Sequence, residues 1–378
     1  MRKIVVFPTD PVEVYARKGE VKEGYYNPEN YFDEVHIITF SKKDPEIDYN
    51  KIGRMCGSAN YTLHYVGPFS FAKIAELKRK TSRIVGSLHP DLVRAYDMLF
   101  QGYFASEAAK KSHIPFVLSL HDNYQEYFTY ALTFDKNVPK WFFFKLWKWF
   151  YLGSIINAAD YIIAAHPHAI RGIPVSFDRP HAVVYNKVYA SKFKPLAVGK
   201  PKEFTAVTVA NLIYMKGIDR LIDAVKGTDI KLVIVGKGPL KDTLVTQARA
   251  NNVQGQVTFI DSIPNEQLPE FYNKAHCFVT GVRQGGIGIP MLEAMACKIP
   301  MVYTQPDCKE PPDLYDGKNM LLVHGEGDAV RKGLLKFKHD QALRKRIANA
   351  AFATFSRIEG KKMEKQEADV YRKLLRKQ

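Results

Sequence analysis

Apolar residues fall along this chain in short, near-continuous runs, separated by polar turns and by stretches of helical period. In the first half Ile4–Phe7, Glu34–Phe40, Asp91–Ala95, Phe116–Leu120, Tyr161–Ala165 and Val183–Tyr185 read as strands. In the second half the runs are Phe204–Val209, Lys231–Val235, Val257–Ile260, Cys277–Thr280 and Met301–Thr304. Between them lie helical patterns at Ser70–Lys80, Leu99–Lys111, Asp242–Ala250 and Asn265–Asn273, and Ile218, Leu221, Ile222 and Val225 share one helical face. Strands apolar on both faces that alternate with helices predict a parallel α/β sheet, doubly wound in the second half. Two domains follow, 1–195 and 201–358, with the Pro-, Gly- and Lys-rich stretch Lys194–Phe204 as the linker. Ala329–Phe355 and Gly360–Arg376 read as long basic helices. The polar segment between Phe7 and Glu34 predicts a long mobile loop at the functional edge of the first sheet.

Composition narrows the class. A chain of 378 residues with 46% hydrophobic residues is large enough for two cores. The four Cys have no metal-type CxxC spacing, which predicts a reduced, cytoplasmic protein. The opening MRKIVVF reads as a strand, with no signal peptide, and no apolar run reaches transmembrane length. The net charge of +16 favours an anionic partner: a lipid surface, a nucleic acid or nucleotide phosphates.

The chemistry concentrates in CFVTGVRQGGIGIPMLEAMACKIPMVYT, Cys277–Thr304. A strand runs into a Gly-rich turn, and Pro290 stands where the next helix begins, at a position that needs no N–H. Such a turn at a strand's carboxyl end is where open α/β sheets bind ligands, and the helix N-terminus suits a phosphate. Glu293, expected in the first helical turn, suits ribose hydroxyls better than phosphate. Lys216, beside the start of another helix, is placed to clamp a diphosphate. The strand Phe116–Leu120 delivers His121 to the same kind of edge in the first half. Gly236 and Gly238 form a fragment of a dinucleotide fingerprint without its remaining parts. His166 and His168 read as structural, because no third metal ligand stands near them.

GxGxP followed by Glu-Ala-Met-Ala resembles the nucleotide-binding signature of retaining GT-B glycosyltransferases of the family 4 (group 1) type. The resemblance implies two Rossmann-like domains facing across a cleft, with a last helix, about 360–378, returning to the first domain. It implies transfer of a sugar from a nucleotide diphosphate donor to a glycan or lipid-linked acceptor, with retention and with no metal or cofactor. His121, Lys216 and Gln284 are the catalytic candidates. Asn211, Lys216, Gly236, Ile263, Gly285, Gly286, Ile287, Gly288, Ile289 and Glu293 are the nucleotide-sugar-binding candidates. His121 matches a family His that contacts the donor sugar, Ile263 ends a loop that lies against the base, and Glu310 matches a loop acid. The sequence departs from the family twice: Asn211 replaces an Arg, and Gly285 replaces a Glu that contacts the transferred sugar. Gln284 is placed to supply that contact as an amide. Arg220, one turn beyond Lys216, reads as a partial substitute for the Arg or as a solvated helix residue.

All three Trp lie in PKWFFFKLWKWFYLG, where Lys140, Lys145 and Lys148 alternate with aromatics up to Tyr151. This predicts either a packed helix with snorkelling lysines or an anionic membrane surface contact, and with it a peripheral position at the membrane. The rivals are a nucleotide-sugar-binding protein without transfer, a GT-B epimerase and a phosphorylase on a similar scaffold. Nucleic-acid binding is disfavoured, because the one aromatic–basic element is too apolar for it. A dinucleotide oxidoreductase is disfavoured by the broken fingerprint.

Overall fold

The computed structural model describes residues 1–18, 21–126, 138–283, 286–304 and 313–376. The chain divides into two compact units, Met1–Tyr185 with Met363–Gln378, and Asn186–Lys362.

The first unit is built on a seven-stranded parallel sheet. Its strands are β1 (Lys3–Phe7), β2 (Glu34–Thr39), β3 (Asn60–Tyr65), β4 (Leu92–Ala95), β5 (Phe116–Leu120), β6 (Tyr161–Ala164) and β7 (His181–Val183), in the order β3-β2-β1-β4-β5-β6-β7. β1, β4 and β5 are almost wholly buried, which is why they read as largely apolar runs. β3 escaped the sequence reading: NYTLHY is half-polar and only partly buried at the sheet edge. The helix Gly360–Leu375 supplies the last layer of this unit. Arg94 of β4, itself buried, donates to Ser119 Oγ at 2.9 Å and bonds Glu367 and Tyr371 of that helix.

The segment after β1 corrects the expectation of a mobile loop. It carries the helix Val12–Lys18, and Tyr26, Asn27 and Phe32 are fully or almost fully buried. The Asn27 side chain donates to Phe32 O and Cys56 O, each at 3.0 Å, and accepts from Phe32 N–H at 2.9 Å. Turn-forming residues here tie a packed segment down.

The aromatic stretch forms the helix Val138–Trp147, a π-helical turn Lys148–Leu152 and the helix Gly153–Ala158. The burial reading holds for part of the stretch. Phe144, Trp147 and Leu152 are buried, and Trp147 Nε1 donates to Met98 O at 3.3 Å. Trp149 is 84% exposed, Phe150 66% and Phe142 56%. No helix among the described residues is long and apolar enough to cross a membrane.

The second unit holds a six-stranded parallel sheet. Its strands are β8 (Thr205–Val209), β9 (Lys231–Val235), β10 (Val257–Ile260), β11 (Cys277–Thr280), β12 (Met301–Thr304) and β13 (Leu321–Val323), ordered β10-β9-β8-β11-β12-β13. The order reverses between β8 and β11, the kind of switch point where such sheets bind ligands. β13 is three residues long and only half-buried, too short to stand out in its polar surroundings. The stretch Lys194–Phe204 is held onto this unit, with Leu196 N–H donating to Asn273 Oδ1 at 2.8 Å. The expected single helix Ala329–Phe355 is two, Gly327–His339 and Gln341–Arg357. Asp340 ends the first and caps the second through Leu343 N–H at 2.7 Å.

Candidate active site

In the second unit the candidate residues follow the carboxyl ends of four adjacent strands. Asn211 and Lys216 follow β8, Gly236 follows β9, Ile263 follows β10, and Gly286–Ile289 follow β11. Gln284, Gly285 and Glu310 lie outside the described residues. The glycines of the fingerprint fragment have a packing reason. Gly236 has φ +152, and a methyl group on it would sit 1.9 Å from Ala210 O; one on Gly238 would sit 2.4 Å from Leu212 O. Leu212 N–H donates to Lys237 O at 2.8 Å. The two loops therefore touch backbone to backbone, with Asn211 exposed at their junction.

The helix after β11 is Ile289–Ala296, capped by Gly288. It starts one residue earlier than expected: Pro290 is its second residue, and Glu293 its fifth, one position beyond the first turn. Met291 and Leu292 N–H both donate to Gly288 O, at 3.1 and 3.3 Å. Among the described residues the N–H groups of Gly286, Ile287, Gly288 and Ile289 have no backbone acceptor, so they are the donors this edge can offer an anion. Glu293 is buried, and its Oε2 accepts from Tyr272 OH at 2.8 Å.

Arg220 is not a solvated helix residue. It is buried, and it grips Glu326 through Nε at 2.6 Å and Nη2 at 2.7 Å. Sequence reasoning missed Arg283. Its guanidinium bonds both Asp219 oxygens, at 2.8 and 2.6 Å, donates to Tyr214 O at 3.0 Å and lies 3.9 Å over the Tyr214 ring. Burial pushes the Asp219 pKa up, but the Arg283 fork outweighs it and the net direction is down. Lys216 ends the short 3-10 turn Tyr214–Lys216 and has no ion pair among the described residues.

In the first unit His121 follows β5 directly. Its ring stacks on Tyr96 with centroids 6.0 Å apart and planes 5° apart, and the Arg94 guanidinium lies 4.2 Å from the Tyr96 ring centroid. His121 Nε2 is buried with no hydrogen-bond partner among the described residues, while His166 Nε2 donates to the His121 carbonyl at 3.0 Å. Burial, with Arg94, Lys22 and His166 around it, pushes the imidazole pKa down to about 3. The ring is therefore neutral at neutral pH. His168 pairs with Glu126 at 2.8 Å, and His166 Nδ1 accepts from Ala169 N–H, so both act structurally. Asp97, at the end of β4, was also passed over: burial pushes its carboxyl up to about 7, against amide donation from Leu99 at 2.8 Å and from Gly102. An Asp just ahead of the helix Phe100–Ser112 was the available signal. Among the described residues no three His, Cys, Asp or Glu side chains gather to hold a metal ion.

A parallel α/β sheet with a Gly-rich turn, a lysine and a buried Glu at its switch edge defines a nucleotide-binding unit. Comparison with known proteins gives the class. Residues 192–354 match the model of glycosyl transferases group 1, and residues 33–186 match that of Glycosyltransferase Family 4. The chain belongs to the family 4 type of GT-B glycosyltransferases. The glycosyltransferase TuaC of Bacillus subtilis (strain 168) is 24% identical over 337 residues, 84% of this chain and 79% of that protein. A GDP-mannose-dependent alpha-(1-6)-phosphatidylinositol monomannoside mannosyltransferase of Mycolicibacterium smegmatis is 34% identical over 137 residues, 33% of this chain and 36% of that protein. Anabaena Alr3699/HepE, solved in complex with UDP, shares the fold with a TM-score of 0.75 at 16% identity, covering 98% of this chain and 99% of its own.

Proposed function

We propose that this glycosyltransferase is a retaining hexosyltransferase that needs no metal and uses a nucleotide diphosphate sugar, with a glycan or lipid-linked acceptor. The observation that carries the reading is the edge of the second sheet. There Lys216, which has no ion pair among the described residues, the N–H groups of Gly286–Ile289 and the buried carboxylate of Glu293 follow neighbouring strands. Glu293 holds the ribose. Lys216 and the N–H groups stabilise the charge that builds on the leaving diphosphate, the task a cation performs elsewhere. His121, neutral and with Nε2 unpartnered among the described residues, holds a sugar hydroxyl through a hydrogen bond rather than carrying a proton. No carboxylate is assigned as a nucleophile, so attack comes from the face the diphosphate leaves.

Donors are tried first as UDP and GDP sugars, since a fold neighbour was solved with UDP and a relative is GDP-mannose-dependent. The exposed Trp149, Phe150 and Phe142, with Lys145 and Lys148 beside them, support contact with an anionic membrane surface from the cytoplasmic side. Pelleting with phosphatidylglycerol vesicles, lost on Trp149→Ala/Phe150→Ala, tests that contact.

The activity test incubates UDP, GDP and ADP sugars with the protein in EDTA, and the anomer of the released sugar is read by NMR. Slow release of the retained anomer from one donor, lost in Glu293→Ala, is expected. A requirement for added metal, or the inverted anomer, overturns the finer reading. Binding without cleavage, even with lipid or glycan extracts, favours a nucleotide-sugar-binding protein in which Gly285 marks a lost sugar contact.

A further inference from the structure

The loop after β8 and the Gly-rich turn after β11 are joined by residues given no role above. Arg283 N–H donates to Met215 O at 2.9 Å, and Arg283 Nη1 donates to Tyr214 O at 3.0 Å. The same guanidinium bonds both oxygens of Asp219 and covers the Tyr214 ring. Gly217 and Gly281 lie back to back: a methyl group on Gly217 would sit 1.8 Å from Gly281 O, and one on Gly281 would sit 2.1 Å from Gly217 O. Tyr214, Met215, Gly217 and Asp219 are thus all fixed against the turn, and Lys216 is the residue they enclose. The charge of Arg283 is taken by Asp219 and that of Arg220 by Glu326, whereas Lys216 has no carboxylate partner among the described residues.

We propose that Arg283 is a positioning residue acting through Lys216: it bolts the Tyr214–Gly217 loop onto the Gly-rich turn and so aims the Lys216 ammonium at the donor diphosphate. This rests on the transferase reading above. Arginine suits the task and lysine does not, because its planar fork engages a carboxylate at two points while its face stacks on an aromatic ring. Arg283 commits Nη1 and Nη2 to Asp219 and Tyr214, which leaves Lys216 as the cation of this loop without a carboxylate partner among the described residues.

The test is a double-mutant cycle on the full chain, using the donor that the wild type cleaves and following release of the nucleoside diphosphate. Arg283→Ala is expected to lower kcat about 10²-fold, the scale of a small misplacement of a catalytic group, with a smaller change in KM. In the Lys216→Ala background the same change is expected to cost almost nothing, because the group it aims is gone. Arg283→Lys does not rescue, and Asp219→Asn, which keeps the fold's shapes, lowers kcat in the same sense. Losses that multiply in the double variant, or full activity in Arg283→Lys, overturn the proposal and leave the transferase reading standing. If Arg283→Ala does not fold, Asp219→Asn takes its place in the cycle and full kcat there overturns it. A wild type that cleaves no nucleotide sugar removes the transferase reading and this proposal together.

Discussion

The Tyr272 hydroxyl donates to Glu293 Oε2 at 2.8 Å, with both residues buried. The carboxylate that is to hold the ribose is therefore itself held, from the helix Leu268–Lys274, which precedes β11. Tyr272→Phe removes that support alone, and it is expected to weaken donor binding about fivefold, the worth of one hydrogen bond of ~1 kcal/mol. Glu293→Ala is expected to abolish measurable donor binding. It also destabilises the chain by about 1–3 kcal/mol, because the buried Tyr272 hydroxyl loses its acceptor. Calorimetric titration with UDP and GDP, paired with urea unfolding, separates the two effects; equal binding by wild type and Tyr272→Phe counts against the support.

His121 makes stability depend on pH. Its pKa is about 3 in the folded chain, against about 6.5 when unfolded. Between those values the unfolded chain holds one proton more, so the contribution is complete above about pH 6.5 and is lost as the pH falls towards 3. The slope is about 1.4 kcal/mol per pH unit, or about 2 kcal/mol between pH 7 and pH 5. His121→Asn has no such proton site, and its urea-unfolding free energy is expected to change by that much less over the same interval. Parallel pH profiles for the two proteins would refute the assignment.

Gly217 has φ +59 and no room for a side chain, since a methyl group there meets Gly281 O. Gly217→Ala combines a left-handed strain with a backbone collision, and an unfolding cost above ~3 kcal/mol is expected. Gly255, with nothing within 4 Å of its would-be methyl group, serves as the control. Gly255→Ala should unfold within about 0.5 kcal/mol of wild type.

Glu367 neutralises Arg94 inside the first unit, and both side chains are under 5% exposed. Removing one partner of a buried pair leaves the other charge without compensation, so Glu367→Ala is expected to cost about 3–5 kcal/mol. Replacing only Glu29, which pairs with Arg372 at the surface at 2.6 Å, is expected to cost less than about 1 kcal/mol. Urea unfolding monitored by Trp fluorescence checks both, since all three Trp lie in the first unit.

Many of the strands were readable because a parallel strand buried on both faces shows as a largely apolar run; Phe116–Leu120, Cys277–Thr280 and Met301–Thr304 match residue for residue. The half-polar β3 and the three-residue β13 give no such run and were missed for that reason. The segment between Phe7 and Glu34 looked like a polar loop because its buried Asn27 satisfies backbone groups far off in sequence, at Phe32 and Cys56.

By itself, the sequence determined the alternation of strands and helices, the Gly-rich turn with Glu293 behind it, and the family signature, because these are local patterns of period and turn chemistry. Only the tertiary structure decided what the charged residues do. Arg283 and Asp219 are 64 positions apart, Arg220 and Glu326 106, and Arg94 and Glu367 273. Whether an arginine is solvated, buried or a ligand depends on which carboxylate the fold brings within reach, and no local pattern carries that distance.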